Sequence, residues 1–223
     1  QSNMGYLSTI NTVEERRKAG PKGGNVAIAT VNIDPLGTVS VTADSLPQGQ
    51  GHATILAQIV ADEMGLTPQD IIVNMERDTQ RDPWSIATGN YSSRFSSSTV
   101  VSAQMAAKRV RAKLTDIAAQ TLNVPAVEIE FAGGQVFAKG NPDNALRFSR
   151  VAGTAHWSPG ELPTDMAPGI TETATWSAPE LEPPNEKDQI NTSLTYGFVF
   201  DICGLEIDRV TGEVRIDKYV TMH

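Results

Sequence analysis

Between a stretch with strand pattern and a stretch with helix pattern, this chain places Gln48-Gly49-Gln50-Gly51-His52, and that junction constrains the fold more than any other feature. Residues 37–43 (GTVSVTA) alternate polar and apolar, which predicts a strand with one solvated face. Residues 53–64 (ATILAQIVADEM) carry apolar side chains at helical spacing, and Gly65 supplies a C-terminal stop. Two glycines let the backbone turn tightly and approach a ligand closely. The N–H groups that open the following helix favour an anion such as a phosphate. With two glutamine amides beside them, strand, turn and helix together describe a site for a phosphorylated or polar cofactor. The bland reading is an ordinary strand–turn–helix junction, but two amides and an imidazole would crowd a turn of that kind.

At 223 residues the chain can form one sizeable domain, or one domain with an appendage. Its net charge of −8 disfavours nucleic acid or an anionic membrane as partner. No apolar run approaches the ~20 residues that a membrane span requires, and no secretory signal is visible. The single cysteine, Cys203, permits no internal disulfide and suits a reducing, cytoplasmic setting. With one cysteine and three histidines (His52, His156, His223), no zinc-type ligand set is present, so no protein metal ligands are expected.

Along the chain, residues 1–23 read as a tag remnant (Gln1-Ser2-Asn3) and a helical lead-in, in which Thr12 and Glu15 resemble a capping box. Val26–Asn32 and 37–43 form a hairpin turned by Pro35-Leu36-Gly37, and Ile71–Glu76 is a third strand. Residues 77–95 make a long polar loop of the kind that is often functional. A helix over about 98–122 stops at Asn123 and Pro125. Its Lys108, Arg109, Arg111 and Lys113 read most simply as a solvated face. Val127–Phe131 and Gln135–Ala138 form a second hairpin, and a short helix lies near 146–152. Residues 156–192 form an extended arm with a strand at 170–176, and 194–208 and 213–222 are two closing strands. The expected fold is α+β: two layers, mixed sheets with helices on one face, built from hairpin–helix–strand–helix units. Two subdomains are expected, 24–125 and 126–223. The final strand and the leading residues together suggest a piece of a larger protein.

Gly49-x-Gly51-x-x-Thr54 also approximates a dinucleotide-binding fingerprint, so a nicotinamide-dependent oxidoreductase domain is one alternative. Three details oppose it. Thr54 is large for close helix–strand packing, the preceding strand alternates rather than running apolar, and the first strand pairs as a hairpin. A non-catalytic cofactor-binding or interaction module is the other alternative.

The segment PQGQGHATILAQIVADEMGLTPQDIIVNMERDT resembles the molybdopterin-binding large subunit of the xanthine dehydrogenase/aldehyde oxidase family, whose bacterial members include large chains of the carbon-monoxide dehydrogenase type. Further matching pieces are Gly89-Asn90-Tyr91-Ser92-Ser93-Arg94-Phe95, the helix through Val100–Leu122, and the late segments Ser193–Phe198 and Glu206–Val214. The resemblance runs from about residue 24 to the end. It implies a molybdopterin-type molybdenum cofactor lined by Gln48, Gly49, Gln50, Gly51 and His52, with Asn90, Tyr91, Ser92 and Ser93 donating to the pterin and its phosphate. It implies a metal held by the pterin rather than by protein. It implies an oxidoreductase that oxidises an aldehyde, N-heterocycle or similar small substrate with water as oxygen source. The partners implied are iron–sulfur and FAD subunits or domains and the rest of the large subunit.

The family's catalytic base, a glutamate, lies beyond this chain, so no catalytic residue is assigned and the chain alone is expected to be inactive. Glu63, Glu76 and Asp78 read as surface acids. Against the family pattern, Ser92 stands for a glycine, Phe95 for a serine and Asn90 for a threonine. Arg94 either contacts a phosphate or pairs with Asp78 or Asp82. Cys203 reads as a small buried group in a strand. Trp84, Trp157 and Trp176 fall in loops or at an edge.

Overall fold

The computed structural model describes residues 26–222 except 83, 86–87, 91–92, 180–184, 188, 190–193 and 196. The expected helix within residues 1–23 lies outside the described residues, as do Tyr91 and Ser92.

The main sheet starts from a hairpin. Strand β1 (Ala27–Ile33) and strand β2 (Val39–Ala43) alternate buried and half-buried residues along their whole length. They pair antiparallel, with Ala29 opposite Ala43 and Val31 opposite Val41. The turn between them is held by Asp34, whose Oδ1 accepts from the N–H groups of Leu36 (2.8 Å) and Thr38 (2.9 Å). Those bonds hold the Asp34 carboxyl below its ordinary pKa, since they favour the charged form. Helix α1 (His52–Met64) then crosses over the sheet to β3 (Ile71–Asn74), which pairs parallel with β2. Strand β7 (Ile170–Trp176) returns from far along the chain to the other edge of β1, giving the order β3-β2-β1-β7.

One face of this sheet is apolar and the other is not. Ala29, Val31, Ile33, Val39, Val41 and Ala174 point into the core. The opposite face carries a ladder of hydroxyls and amides: Thr30 Oγ1 lies 2.8 Å from Thr173 Oγ1, and Thr171 donates to Asn32 Oδ1 at 2.6 Å. Period-two alternation therefore dictates a single helical layer. Helix α2 (Val100–Leu122) fills that layer beside α1, burying Ala103, Ala107, Val110, Leu114 and Ile117. The α+β expectation stands, with mixed strand directions and helices on one face.

The second sheet, β4 (Ile129–Ala132), β5 (Gln135–Ala138) and β6 (Asn141–Arg147), is antiparallel. Helix α3 (Phe148–Trp157) follows it and extends past the short helix expected near 146–152. Ile129, Phe131, Val136, Phe148 and Val151 join the same buried cluster as the first sheet. Strand β6 carries no strand pattern (NPDNALR). It sits at an edge, where Pro142 removes no ladder bond that the sheet needs.

Gly65 ends α1 in the left-handed region (φ 65°) and meets the second sheet there. A Cβ at this position would run into the Phe131 carbonyl, so the glycine serves both the backbone turn and the close approach. Asn123 ends α2 in the same left-handed region, at φ 55°.

The last two strands, β8 (Phe200–Ile207) and β9 (Val214–Met222), form a hairpin of their own with every residue exposed. Cys203 lies in β8 as expected but is exposed, not buried. The reason is that no described element covers this ribbon.

In the basic run on α2, Lys108 and Arg109 are exposed, as a solvated face requires, while Arg111 and Lys113 are half-buried, and all four also reach neighbouring elements. Arg109 donates to the Thr173 carbonyl (2.7 Å), Lys113 pairs with Glu172 (2.6 Å), and Lys108 reaches Glu63 (3.9 Å). Arg111 donates to the Glu63 carbonyl and lies over the Phe131 ring, 4.6 Å from its centroid. These side chains tie α2 to β7, α1 and β4. Sequence periodicity could not show this, because long basic stems reach across to neighbouring elements.

Candidate cofactor-binding site

The glycine turn sits where β2 ends and α1 begins. Gly49 (φ 101°) and Gly51 (φ 80°) both occupy backbone conformations that L side chains rarely adopt. A Cβ built at either would meet nothing within 4 Å. Backbone conformation is therefore what requires glycine here, and the surface of the turn is open. Gln48, Gly49, Gln50 and Gly51 are all exposed. The Gln50 side-chain carbonyl accepts from the Gln48 N–H, so one of the two amides braces the turn from within.

His52 behaves differently from the four residues before it. It is 7% exposed. Its ring stacks on Phe95, centroids 3.5 Å apart and planes within 4°. Its Nδ1 lies 3.2 Å from Ser45 Oγ, and Ser45 in turn donates to Asn90 Oδ1. Burial pushes the imidazole below its usual pKa of 6.5.

Beneath this lies a charged bolt. Asp44 and Arg94 are fully buried and paired at 2.9 Å. The guanidinium also donates to the carbonyls of Val26 (3.0 Å) and Gly89 (3.1 Å). Thr99 Oγ1 (3.3 Å) donates to Asp44 Oδ1, Ser85 Oγ lies within reach of both Asp44 Oδ2 (2.9 Å) and the Val26 carbonyl (2.7 Å) for its one proton, and Gly89 N–H donates to the Asp44 carbonyl (3.1 Å). The loop that the sequence marks as functional is thus stitched at both ends to the strand that feeds the glycine turn. Among the described acids, Arg94 pairs with Asp44 in place of the expected Asp78 or Asp82. Asp82 is occupied by Arg81 (3.6 Å) and by the Asp78 N–H (2.8 Å).

The loop ends in Ser93, left-handed at φ 53° and exposed, and then in a π-helical turn, Phe95–Thr99, that runs into α2. Such turns widen the backbone spiral and recur at functional sites. Within it Ser98 Oγ is buried with no hydrogen-bond partner among the described residues. Ser96 Oγ lies 3.0 Å from Thr195 Oγ1, which brings the late segment against this loop.

Of the residues expected in the site, His52 and Asn90 are brought together through Ser45, and Gln48–Gly51 run directly into His52. Sequence reasoning missed Asp44, Ser45, Ser85 and Thr99, which hold the arrangement. The available signal was Asp44-Ser45 directly after a buried alternating strand, since an acid at the edge of a core requires a cation. Glu63 is engaged by Gln104 (3.1 Å) and Lys108, and Asp78 caps its own turn through Gln80 N–H (2.9 Å). No cluster of metal-ligating side chains exists among the described residues, and no described helix is long and apolar enough to cross a membrane.

Residues 4–223 match the family model described as the molybdopterin cofactor-binding domain. The chain is similar to the carbon monoxide dehydrogenase large chain of Hydrogenophaga pseudoflava, 29% identical over 192 residues, covering 86% of this chain and 22% of that one. It is also similar to the nicotine 6-hydroxylase large subunit of Paenarthrobacter nicotinovorans, 28% identical over 190 residues, covering 85% and 21%. Among solved structures, quinoline 2-oxidoreductase from Pseudomonas putida 86 superposes with a TM-score of 0.71 (26% identity, 88% of this chain, 23% of that one). The Cu,Mo-CO dehydrogenase superposes at 0.72 (27% identity, 91% and 24%). The chain spans about a fifth of the length of these relatives. With the match running through both loops and almost the whole chain, the protein belongs to the molybdopterin cofactor-binding domain family.

Proposed function

We propose that this chain carries the cofactor loops of a molybdenum hydroxylase or dehydrogenase large subunit. That enzyme oxidises an aldehyde, N-heterocycle or similar small substrate with water as oxygen source. The observation that carries the reading is the open glycine turn, bolted by the buried Asp44–Arg94 pair to a second polar loop. The donor set fits a pterin with an anionic tail. Exposed backbone N–H groups at Gly49 and Gly51, the Gln48 amide and the Ser93 hydroxyl suit an anion and a heteroaromatic ring. Ser98 adds a buried hydroxyl that the described protein leaves unpartnered. Tyr91 and Ser92, outside the described residues, complete the second loop in this reading.

The group, when bound, supplies the redox chemistry, and this chain's share is positioning. Gln48–Gly51 and Ser93 hold and orient it. Asp44 and Arg94 keep the two loops at fixed separation. The described acids at Glu63 and Asp78 are spent on structural contacts, so we assign the proton-accepting base to the remainder of the large subunit, with iron–sulfur and FAD partners removing the electrons. In the same reading, residues 24–125 carry the loops, residues 126–223 buttress them, and a cytoplasmic setting agrees with a single free cysteine.

The test is molybdenum and pterin analysis of the natively purified large subunit beside its Gly51→Val variant. Metal and pterin in the parent and loss of both in a folded variant is the expected result. A folded parent from a molybdenum-replete host that holds neither would overturn the proposal and leave the turn as a structural junction.

A further inference from the structure

We infer that His52 is a positioning residue, which locks the glycine turn to the second loop through Ser45, Asn90 and Phe95 and does not itself grip the ligand. The consequence for cofactor rests on the function proposed above; the lock itself does not. Three observations carry it. First, the ring is almost wholly covered, with one face against Phe95. Second, the hydrogen-bond chain has a fixed direction. Ser45 has one hydroxyl proton, and Asn90 Oδ1 can only accept it. With the Asn90 amide assigned so that it presents Oδ1, Ser45 Oγ is an acceptor toward His52, and this orientation assigns the ring proton to Nδ1 and leaves Nε2 deprotonated. Third, His52 directly follows Gly51, the left-handed residue that caps α1. Clamping this ring fixes the first residue of the helix, and with it the angle at which the turn leaves the sheet. A loop held in its bound geometry before the ligand arrives loses less conformational freedom on binding.

Phe95 and Asn90 both belong to the second loop and Ser45 to the end of the strand before the turn. One imidazole thus ties the start of α1 to the strand end and to the second loop, two segments already joined to each other by the Gly89 N–H to Asp44 carbonyl bond. The Asp44–Arg94 bolt fixes how far apart the loops stand, and the His52 lock fixes how the turn is tilted between them.

The tautomer is directly measurable. Long-range proton–nitrogen correlation spectra of the 15N-labelled chain contain three histidine rings, and His52→Gln assigns the one in question. The expected result is the Nδ1–H form for His52, lost in Ser45→Ala and in Asn90→Leu but retained in Asn90→Asp, which keeps an acceptor. The Nε2–H form in the unsubstituted chain, or a tautomer indifferent to Ser45→Ala, overturns the lock. If Ser45→Ala fails to fold, the unsubstituted spectrum and the Asn90 pair still decide. The second readout is pterin retained by the full-length large subunit: Ser45→Ala should lower it about three- to tenfold, the scale of one lost hydrogen bond. Equal retention refutes a role in positioning the cofactor. A parent that retains no pterin refutes the proposed function instead, while the tautomer still judges the lock.

Discussion

Replacing Arg94 by methionine tests the central claim about how the two loops are held. The guanidinium is fully buried, lies 2.9 Å from Asp44 and bonds the Val26 and Gly89 carbonyls. Methionine fills a similar volume but leaves the Asp44 carboxylate buried with only Ser85 and Thr99 as donors. Removing one partner of a buried pair costs about 3–5 kcal/mol, because the other charge stays desolvated and unpaired. At about 2–4 °C per kcal/mol for a chain of this size, the melting temperature should fall by roughly 6–20 °C. Urea unfolding followed by circular dichroism gives the free energy directly, and Arg94→Met/Asp44→Leu closes the double-mutant cycle. Arg94→Lys should recover only part of the loss, since an ammonium cannot present the planar fork that meets a carboxylate and carbonyls together. A loss below about 1 kcal/mol, the range of exposed ion pairs, would show that the pair is wet in solution. The bolt would then not be what sets the separation of the loops.

Gly65→Ala should cost more than about 2 kcal/mol in the same urea assay, from a left-handed backbone and a collision with the Phe131 carbonyl together. Gly49→Ala meets no neighbour, so its cost should be confined to about 1–2 kcal/mol of backbone strain, while pterin content of the parent falls by much more than stability explains. Acid should weaken the fold through His52. Its pKa is depressed by burial, so the unfolded chain binds the proton more readily, and this contribution is complete above about pH 6.5 and lost as pH falls through the folded value. Urea midpoints measured between neutrality and the carboxylate range should therefore decline in the unsubstituted chain and decline less in His52→Gln.

Local pattern made much of the scaffold legible. The alternation in β1 and β2, the helical spacing before Gly65 and the strand at Ile170–Trp176 all lie where the residues place them. Each is a periodic element whose apolar side must face one core. Strand β6 escaped notice because an edge strand with Asn141, Pro142 and Asp143 has no periodicity to read. The π-helical turn at Phe95–Thr99 escaped because FSSST carries no pattern, only the demand of buried hydroxyls and of Phe95 for a place against His52.

The glycine turn itself was visible in sequence because its cause is local: positive φ at Gly49 and Gly51 is a property of single residues. What joins it to the second loop is not local. Arg94 was open between a phosphate and two acids in its own loop, yet it pairs with Asp44, fifty positions away. A charge selects its partner by desolvation, and desolvation exists only once the chain has closed around it. The basic side chains of α2 follow the same rule. Along one helix they read as a solvated face, and Lys108 and Arg109 are indeed exposed, but with β7, α1 and β4 within reach they also act as cross-ties. The sequence by itself determined the periodic elements, the one-sided sheet and the glycine turn, because these follow from period and backbone conformation. Only the tertiary structure decided which polar groups are buried together, and so what holds the two loops at a fixed distance.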